Sequence, residues 1–183
     1  MIDFYKKNNK EIIKLINKVD SSFLIKLEKL VINTSKKKKK LIICGNGGSA
    51  ATASHATVDL TKNAGIKAIN FNEYDLITCF GNDYGYEKWV EKSLEFYADV
   101  GDTLILISCS GNSKNLVNAA KYALKKKINL VTMTGCKKNN GLNRINSKLR
   151  LWINSNSYNH IEILHHYVLL SITDKIILKK KKL

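Results

Sequence analysis

The 183-residue sequence predicts a single α/β domain, an approximately five-stranded parallel sheet flanked by helices and preceded by a helical extension. Three observations lead there. A short apolar strand running into a glycine- or serine-rich loop and then into a helix occurs twice, at residues 41–60 and 103–124. Such repetition is how a parallel sheet is built, with ligands bound beyond the carboxyl ends of its strands. Strand and helix patterns continue to alternate afterwards, whereas the first 35 residues carry only helical spacing.

In order along the chain, Ile12, Ile13, Ile16, Val19, Phe23, Leu24, Leu27 and Leu30 recur at three- and four-residue steps, which suits one long or two consecutive amphipathic helices over residues 1–36. The α/β core then occupies residues 40–178. Leu41 to Cys44 reads as a buried strand ended by the turn Gly45-Asn46-Gly47-Gly48-Ser49, with Ser49 placed to cap the next helix. Lys67 to Phe71 reads as a strand, and Leu76 to Phe80 and Glu87 to Tyr97 as helices. Thr103 to Ser108 is the second clear strand, followed by a helix through Leu116, Ala119, Ala120, Ala123 and Leu124. Asn129 to Thr134 and Leu149 to Asn154 add strands, and Ile161 to Leu178 is apolar enough for a buried or interface helix. No linker or second domain interrupts the pattern.

Composition narrows the function classes. A 44% hydrophobic, 25% charged chain has the balance of a soluble globular protein, and no apolar run is long enough to span a membrane. The first residues lack the apolar core and cleavage site of a secretion signal. Cys44, Cys79, Cys109 and Cys136 form no CxxC pair, so reduced thiols in a cytoplasmic protein are expected. The net charge of +16 invites a nucleic-acid partner, but the basic residues are almost all lysines, dispersed in runs such as Lys36–Lys40 and Lys179–Lys182. Those runs read as solvated edges that attract small anions, and no nucleic-acid or membrane partner is expected.

Two loops carry the chemistry. Glycines let backbone N–H groups at a helix start approach a phosphate, which is what the first loop offers; its spacing matches neither of the common nucleotide-binding loops. The second loop, Ser108-Cys109-Ser110-Gly111-Asn112-Ser113, adds hydroxyls and amides for phosphate oxygens, although turn and cap chemistry alone also favours such residues.

Cys44 to Leu60, CGNGGSAATASHATVDL, resembles the signature segment of the phosphoheptose isomerase branch of the sugar isomerase (SIS) domain family. Gly81-Asn82-Asp83-Tyr84-Gly85 and the ISCSGNS segment resemble two further motifs of that family, in the same order. The resemblance implies substrate contacts by Asn46, Gly47, Gly48, Ser49, Asn82, Asp83, Ser108, Cys109, Ser110 and Ser113, with Cys109 standing where Thr or Ser is usual. It implies a zinc-binding His and carboxylate four residues apart, here His55 and Asp59. On the last helix the family supplies Gln and, eight residues on, His; the matching positions are Glu162 and Leu170. Leucine cannot bind zinc, so the chain's own substitute set is His55, Asp59, Glu162 and His166, the last two again spaced i, i+4. The alternative is that His165 and His166 are structural residues of an apolar helix.

The resemblance further implies isomerisation of a small sugar phosphate, sedoheptulose 7-phosphate to D-glycero-D-manno-heptose 7-phosphate, through an enediol, for heptose and surface polysaccharide synthesis. Asp59, Glu162 and His166 are the candidate acid and base groups, zinc is the implied cofactor, and a homotetramer with shared sites is the implied assembly. Another sugar phosphate as substrate, or a non-catalytic phosphosugar-binding module, are the alternatives.

Overall fold

The computed structural model describes residues 2–180. Periodicity becomes structure almost element by element. The extension forms two helices, α1 (Ile2–Asn17) and α2 (Ser21–Lys36), separated where the Asp20 side chain accepts from the Ser22 amide and starts the second. Then follow β1 (Leu41–Gly45), α3 (Gly48–Lys62), β2 (Ala68–Ile69), α4 (Tyr74–Tyr84), α5 (Trp89–Tyr97) and β3 (Thr103–Ser108). The chain closes with α6 (Lys114–Lys125), β4 (Asn129–Thr134), β5 (Leu149–Trp152) and α7 (Tyr158–Lys180). The five strands are all parallel, in the order β2-β1-β3-β4-β5. Two strands are shorter than their sequence patterns: Lys67 to Phe71 contributes only Ala68 and Ile69 to the sheet, and the last strand stops at Trp152.

Burial on both faces explains why the central strands read as continuous apolar runs without alternation. Leu41, Ile43, Ile105 and Ile107 point into one core with Leu27, Val31, Leu60, Leu164 and Val168, from α2, α3 and α7. Ile42, Cys44, Leu104 and Leu106 point into the other, with Trp89, Leu94, Leu116 and Ala120 from α5 and α6. The sheet is therefore the middle of three layers.

At the amino ends of β1 and β3 a polar clasp sets the strands together. Asp102, fully buried, accepts from the Lys40 and Asp99 amides, and its carboxylate lies 2.7 Å from the Lys40 ammonium. At the opposite, carboxyl ends the chain leaves β1 toward β2 on one side and β3 toward β4 on the other. That divergence opens a crevice where ligands of such sheets bind.

Candidate active site

Two helix starts meet in this crevice. The Asn46 and Asn115 side chains form a reciprocal amide pair, Nδ2 of each donating to Oδ1 of the other at 3.1 and 2.9 Å. Asn46 belongs to the turn after β1, and Asn115 to the first turn of α6. One bond pair thus locks both glycine- and serine-rich loops side by side, and the Tyr86 hydroxyl donates to Asn46 Oδ1 at 3.4 Å from the outer edge.

The turn itself departs from its expected capping. Gly47, not Ser49, is the residue before α3; its φ of 54° lies in the left-handed region that favours glycine, and it has no side chain with which to cap. Ser49 sits one position inside the helix and is buried against the cleft. At the second loop Ser113 precedes α6, and its hydroxyl makes no cap bond. Ser108 Oγ accepts from the Gly111 amide at 3.1 Å and Ser110 Oγ from the Asn112 amide at 3.2 Å, which holds the loop in a tight bend. Two helix starts without side-chain caps, facing one crevice, make a favourable site for an anion.

The crevice has a narrow inner part of about 160 Å³ and a wider outer part of about 530 Å³. Ser49, Ser108, Cys109, Ser110, Tyr158 and Glu162 line the inner part, Gly85, Tyr86, Glu87, Lys114 and Asn115 the outer, and Asn46 and Ser113 both. Glu162 reaches in from α7 and lays its carboxylate against Gly48, in the place a Cβ there would occupy. A carboxylate is favoured beside the first residue of α3, where backbone dipoles point their positive ends. Cys109 Sγ approaches Glu162 Oε1 at 3.9 Å. Burial, with the Glu162 carboxylate adding to it, pushes the Cys109 thiol up to about 11, so it is a neutral donor and not a nucleophile.

About one to two helical turns further along the same two helices lies a second polar group. His166 Nε2 on α7 meets His55 Nδ1 on α3 at 2.8 Å, with the rings edge to face, and His55 Nε2 stands 3.4 Å from Asp59 Oδ2. Burial first, then His55, lowers the His166 pKa, while Asp59 opposes the shift. His165 points the other way: it is fully buried, bonds the Thr134 carbonyl through Nε2 at 3.3 Å, and its pKa is lowered by burial to about 4. His160 bonds Asn8 at 2.7 Å and ties α7 to α1.

The structure therefore brings most of the expected residues together, with two exceptions. Asn82 and Asp83, at the exposed end of α4, bond to each other at 2.9 Å and line neither part of the crevice. The four residues proposed for zinc are also divided, since Glu162 turns to Gly48 and Cys109 while His55, Asp59 and His166 cluster apart. Among the described residues, no set of three or more His, Cys, Asp or Glu side chains converges as a metal cage. Sequence reasoning missed Asn115, Tyr86 and Tyr158. Only Asn115, two residues after the serine loop and facing the sheet side of a helix, left any sign.

The family model described as SIS domain matches residues 4–135, well over half of the chain. The chain belongs to the SIS domain family. A phosphoheptose isomerase of Buchnera aphidicola subsp. Acyrthosiphon pisum is 35% identical over 135 residues, covering 68% of this chain and 69% of its own. Two solved phosphoheptose isomerases share the fold: that of Neisseria gonorrhoeae at a TM-score of 0.88, 24% identical over 95% of this chain and 98% of its own, and that of Francisella tularensis at 0.89, 22% identical over 97% and 98%. The family model stops before α7, the helix that carries Glu162, His166 and Leu170. The phosphate loops are thus matched by sequence, whereas α7 is matched in shape.

A bound zinc, as implied by the family resemblance, fits half of the proposed set. His55 Nε2 and Asp59 Oδ2, 3.4 Å apart, have the separation of two ligands on one tetrahedral zinc, about 3.4 Å for bonds of about 2.0–2.2 Å. Their approach is too long for a good hydrogen bond. Glu162 is turned to Gly48 and the Nε2 of His166 is engaged by His55 Nδ1, so two residues and not four are placed for zinc.

Proposed function

We propose that this protein is an aldose–ketose isomerase of phosphorylated sugars that converts sedoheptulose 7-phosphate to D-glycero-D-manno-heptose 7-phosphate for surface polysaccharide synthesis. The single observation that supports the reading is the Asn46–Asn115 pair, which holds the two loops side by side, with the Glu162 carboxylate against Gly48 of the first. The names carried by the relatives support the substrate class.

In this reading the phosphate lies against Ser108, Ser110, Ser113 and the start of α6, and the carbonyl end of the sugar reaches toward Glu162. The Glu162 carboxylate takes the proton from carbon 1 of the ketose as the carbonyl at carbon 2 becomes an enediol oxygen. It then returns the proton to carbon 2, while the hydroxyl proton passes from oxygen 1 to oxygen 2 and the aldehyde forms at carbon 1. Leu170 cannot move a proton, which leaves Glu162 as the carboxylate that lines the inner part of the crevice. Ser49, Asn46 and Tyr158 line the inner crevice around Glu162.

We also propose a homotetramer. Phe4, Tyr5 and Ile13 on α1, with Tyr74, Phe96 and Tyr97 on the other side of the sheet, are exposed apolar side chains suited to subunit contacts. Sedimentation should give four chains per particle; a monomer at micromolar concentration would refute this part.

Incubation with sedoheptulose 7-phosphate in deuterated water should place deuterium on carbon 2 of the heptose product. No exchange and no turnover, with zinc present or absent, would refute catalysis. One observation favours a second reading: Leu170 stands where the family resemblance places a histidine. A phosphosugar-binding module without turnover would show saturable thermal stabilisation by sugar phosphates and no deuterium uptake.

A further inference from the structure

The carboxylates of α2 and of the β3 start are engaged, whereas four lysines beside them are not. Asp99 and Asp102 bond the Lys40 ammonium, and Glu28, the one carboxylate of α2, pairs with Lys179 of α7. Between Asp102 and Glu162 the sequence holds no Asp or Glu. Lys26 and Lys29 on α2, Lys37 at its end and Lys148 just before β5 line one cavity of about 400 Å³. Among the described residues none of the four pairs with a carboxylate. We propose that this cavity is a second anion site, at the sheet end opposite the crevice, which takes a small molecule carrying two phosphate groups.

The walls of the cavity are built from the fold. Lys26, Lys29, Asn33 and Lys37 follow at three- and four-residue steps, so a single stripe of α2 lines it. Under that stripe Leu30 and Thr34 are buried, and the Thr34 hydroxyl bonds both the Leu30 carbonyl and the Thr103 hydroxyl, which seats α2 on the start of β3. On the other wall the Asn129 amide donates to the Gly101 and Asp102 carbonyls at 3.2 Å each. Its Oδ1 accepts from the Lys148 ammonium at 2.8 Å, which holds that lysine at the cavity wall. Like charges on one helix face repel, and no carboxylate in the lining offsets them. Their counter-charge therefore comes from a bound anion. A lysine ammonium is a compact point charge with three donors and suits phosphate oxygens. One phosphate group carries about 1.5 to 2 negative charges at neutral pH, so two of them match four ammonium groups. The volume is at the small end of the range for small-molecule sites, roughly 300–1,000 Å³, which fits such an anion and not a polymer.

The proposal stands apart from the isomerase reading, and its test reads a different part of the chain. In proton–nitrogen NMR, titration with inorganic pyrophosphate in metal-free buffer at fixed ionic strength should shift the amides of Gly101, Asn129 and Leu149 saturably. The amides of Ser110 and Asn112 report any binding in the crevice separately. Affinity at the first set should exceed that for inorganic phosphate by about 10-fold or more, and should fall about 10- to 100-fold in the double variant Lys29→Gln/Lys148→Gln. A pair with the same charge change elsewhere, Lys10→Gln/Lys62→Gln, should leave it little changed. Tighter binding of ADP than of pyrophosphate would assign the site to a nucleotide, and equal or weaker binding to the phosphate pair alone. The proposal is overturned if the three amides do not saturate with either probe, if inorganic phosphate binds as tightly as pyrophosphate, or if the distant pair weakens binding as much as the cavity pair.

Discussion

Glu162 and His165 lie three residues apart on α7 and show how one helix serves two purposes. Glu162 is partly accessible and bears on the crevice; its replacement by Gln keeps the shape and removes the charge. If Glu162 moves the proton, kcat should fall by about 10²- to 10⁴-fold with little change in KM for the sugar phosphate, as read from initial rates. Equal kcat in the two proteins would exclude Glu162 as the base. His165, by contrast, is buried as the neutral imidazole, with Nε2 on the Thr134 carbonyl and Nδ1 unpartnered. Its folded pKa of about 4 lies below the ordinary 6.5. Its neutral form therefore contributes fully above pH 6.5, and stability is lost as pH falls from 6.5 through 4. The gap corresponds to about 3 kcal/mol. Denaturant melts at pH 7 and pH 4.5 should show this loss in the wild type and a smaller one in His165→Leu.

Among the elements, the clasp at the strand starts is the feature whose loss should cost most. Asp102 is fully buried between β1 and β3 and receives two backbone amides and the Lys40 ammonium. Removing its carboxylate leaves the Lys40 and Asp99 amides without their acceptor and the largely buried ammonium with Asp99 as its one carboxylate partner. Asp102→Ala should destabilise the protein by about 2–4 kcal/mol in urea melts, chiefly through the two buried amides left without an acceptor. Because the clasp sits at the sheet end opposite the crevice, the folded fraction should retain its KM. The same elements show where spacing was readable. Thr103–Ser108 and Asn129–Thr134 are strands with the bounds their apolar runs indicate, since buried central strands have no polar alternation to blur their ends. β2 was not so readable: at the sheet edge only Ala68 and Ile69 find partners on β1, and the rest of that apolar run packs as loop. The start of α3 was misread because a serine beside glycines suggests a cap, whereas the left-handed Gly47 takes the cap position and draws Ser49 inside.

For the whole molecule, charge and shape act together. The net charge of +16 is spread over helix surfaces, and a separate cavity of about 400 Å³ at the amino ends of the strands gathers Lys26, Lys29, Lys37 and Lys148 with no carboxylate in its lining. It lies at the opposite end of the sheet from the crevice and holds none of the catalytic candidates. Such a field raises the local concentration of anionic substrates and is screened by salt, with a Debye length of about 10 Å at 0.1 M and about 3 Å at 1 M. KM for a sugar phosphate should therefore rise several-fold between low and high salt while kcat holds steady. A flat KM across that range would mean that the two loops alone determine capture.

The sequence by itself determined the parallel sheet, the helical extension and the two glycine- and serine-rich loops, because each is encoded by neighbours in the chain: apolar runs, three- and four-residue spacing, and glycines at turns. It also placed His55 and Asp59 on one helix face, since an i, i+4 spacing is a local fact. Only the tertiary structure decided which loop residues meet, that Asn115 bridges them, that Glu162 turns to Gly48, and that His166 and not His165 reaches His55. Those contacts link residues 69, 114 and 111 positions apart. They depend on how α3, α6 and α7 pack on the sheet, and no periodicity within one segment carries that angle.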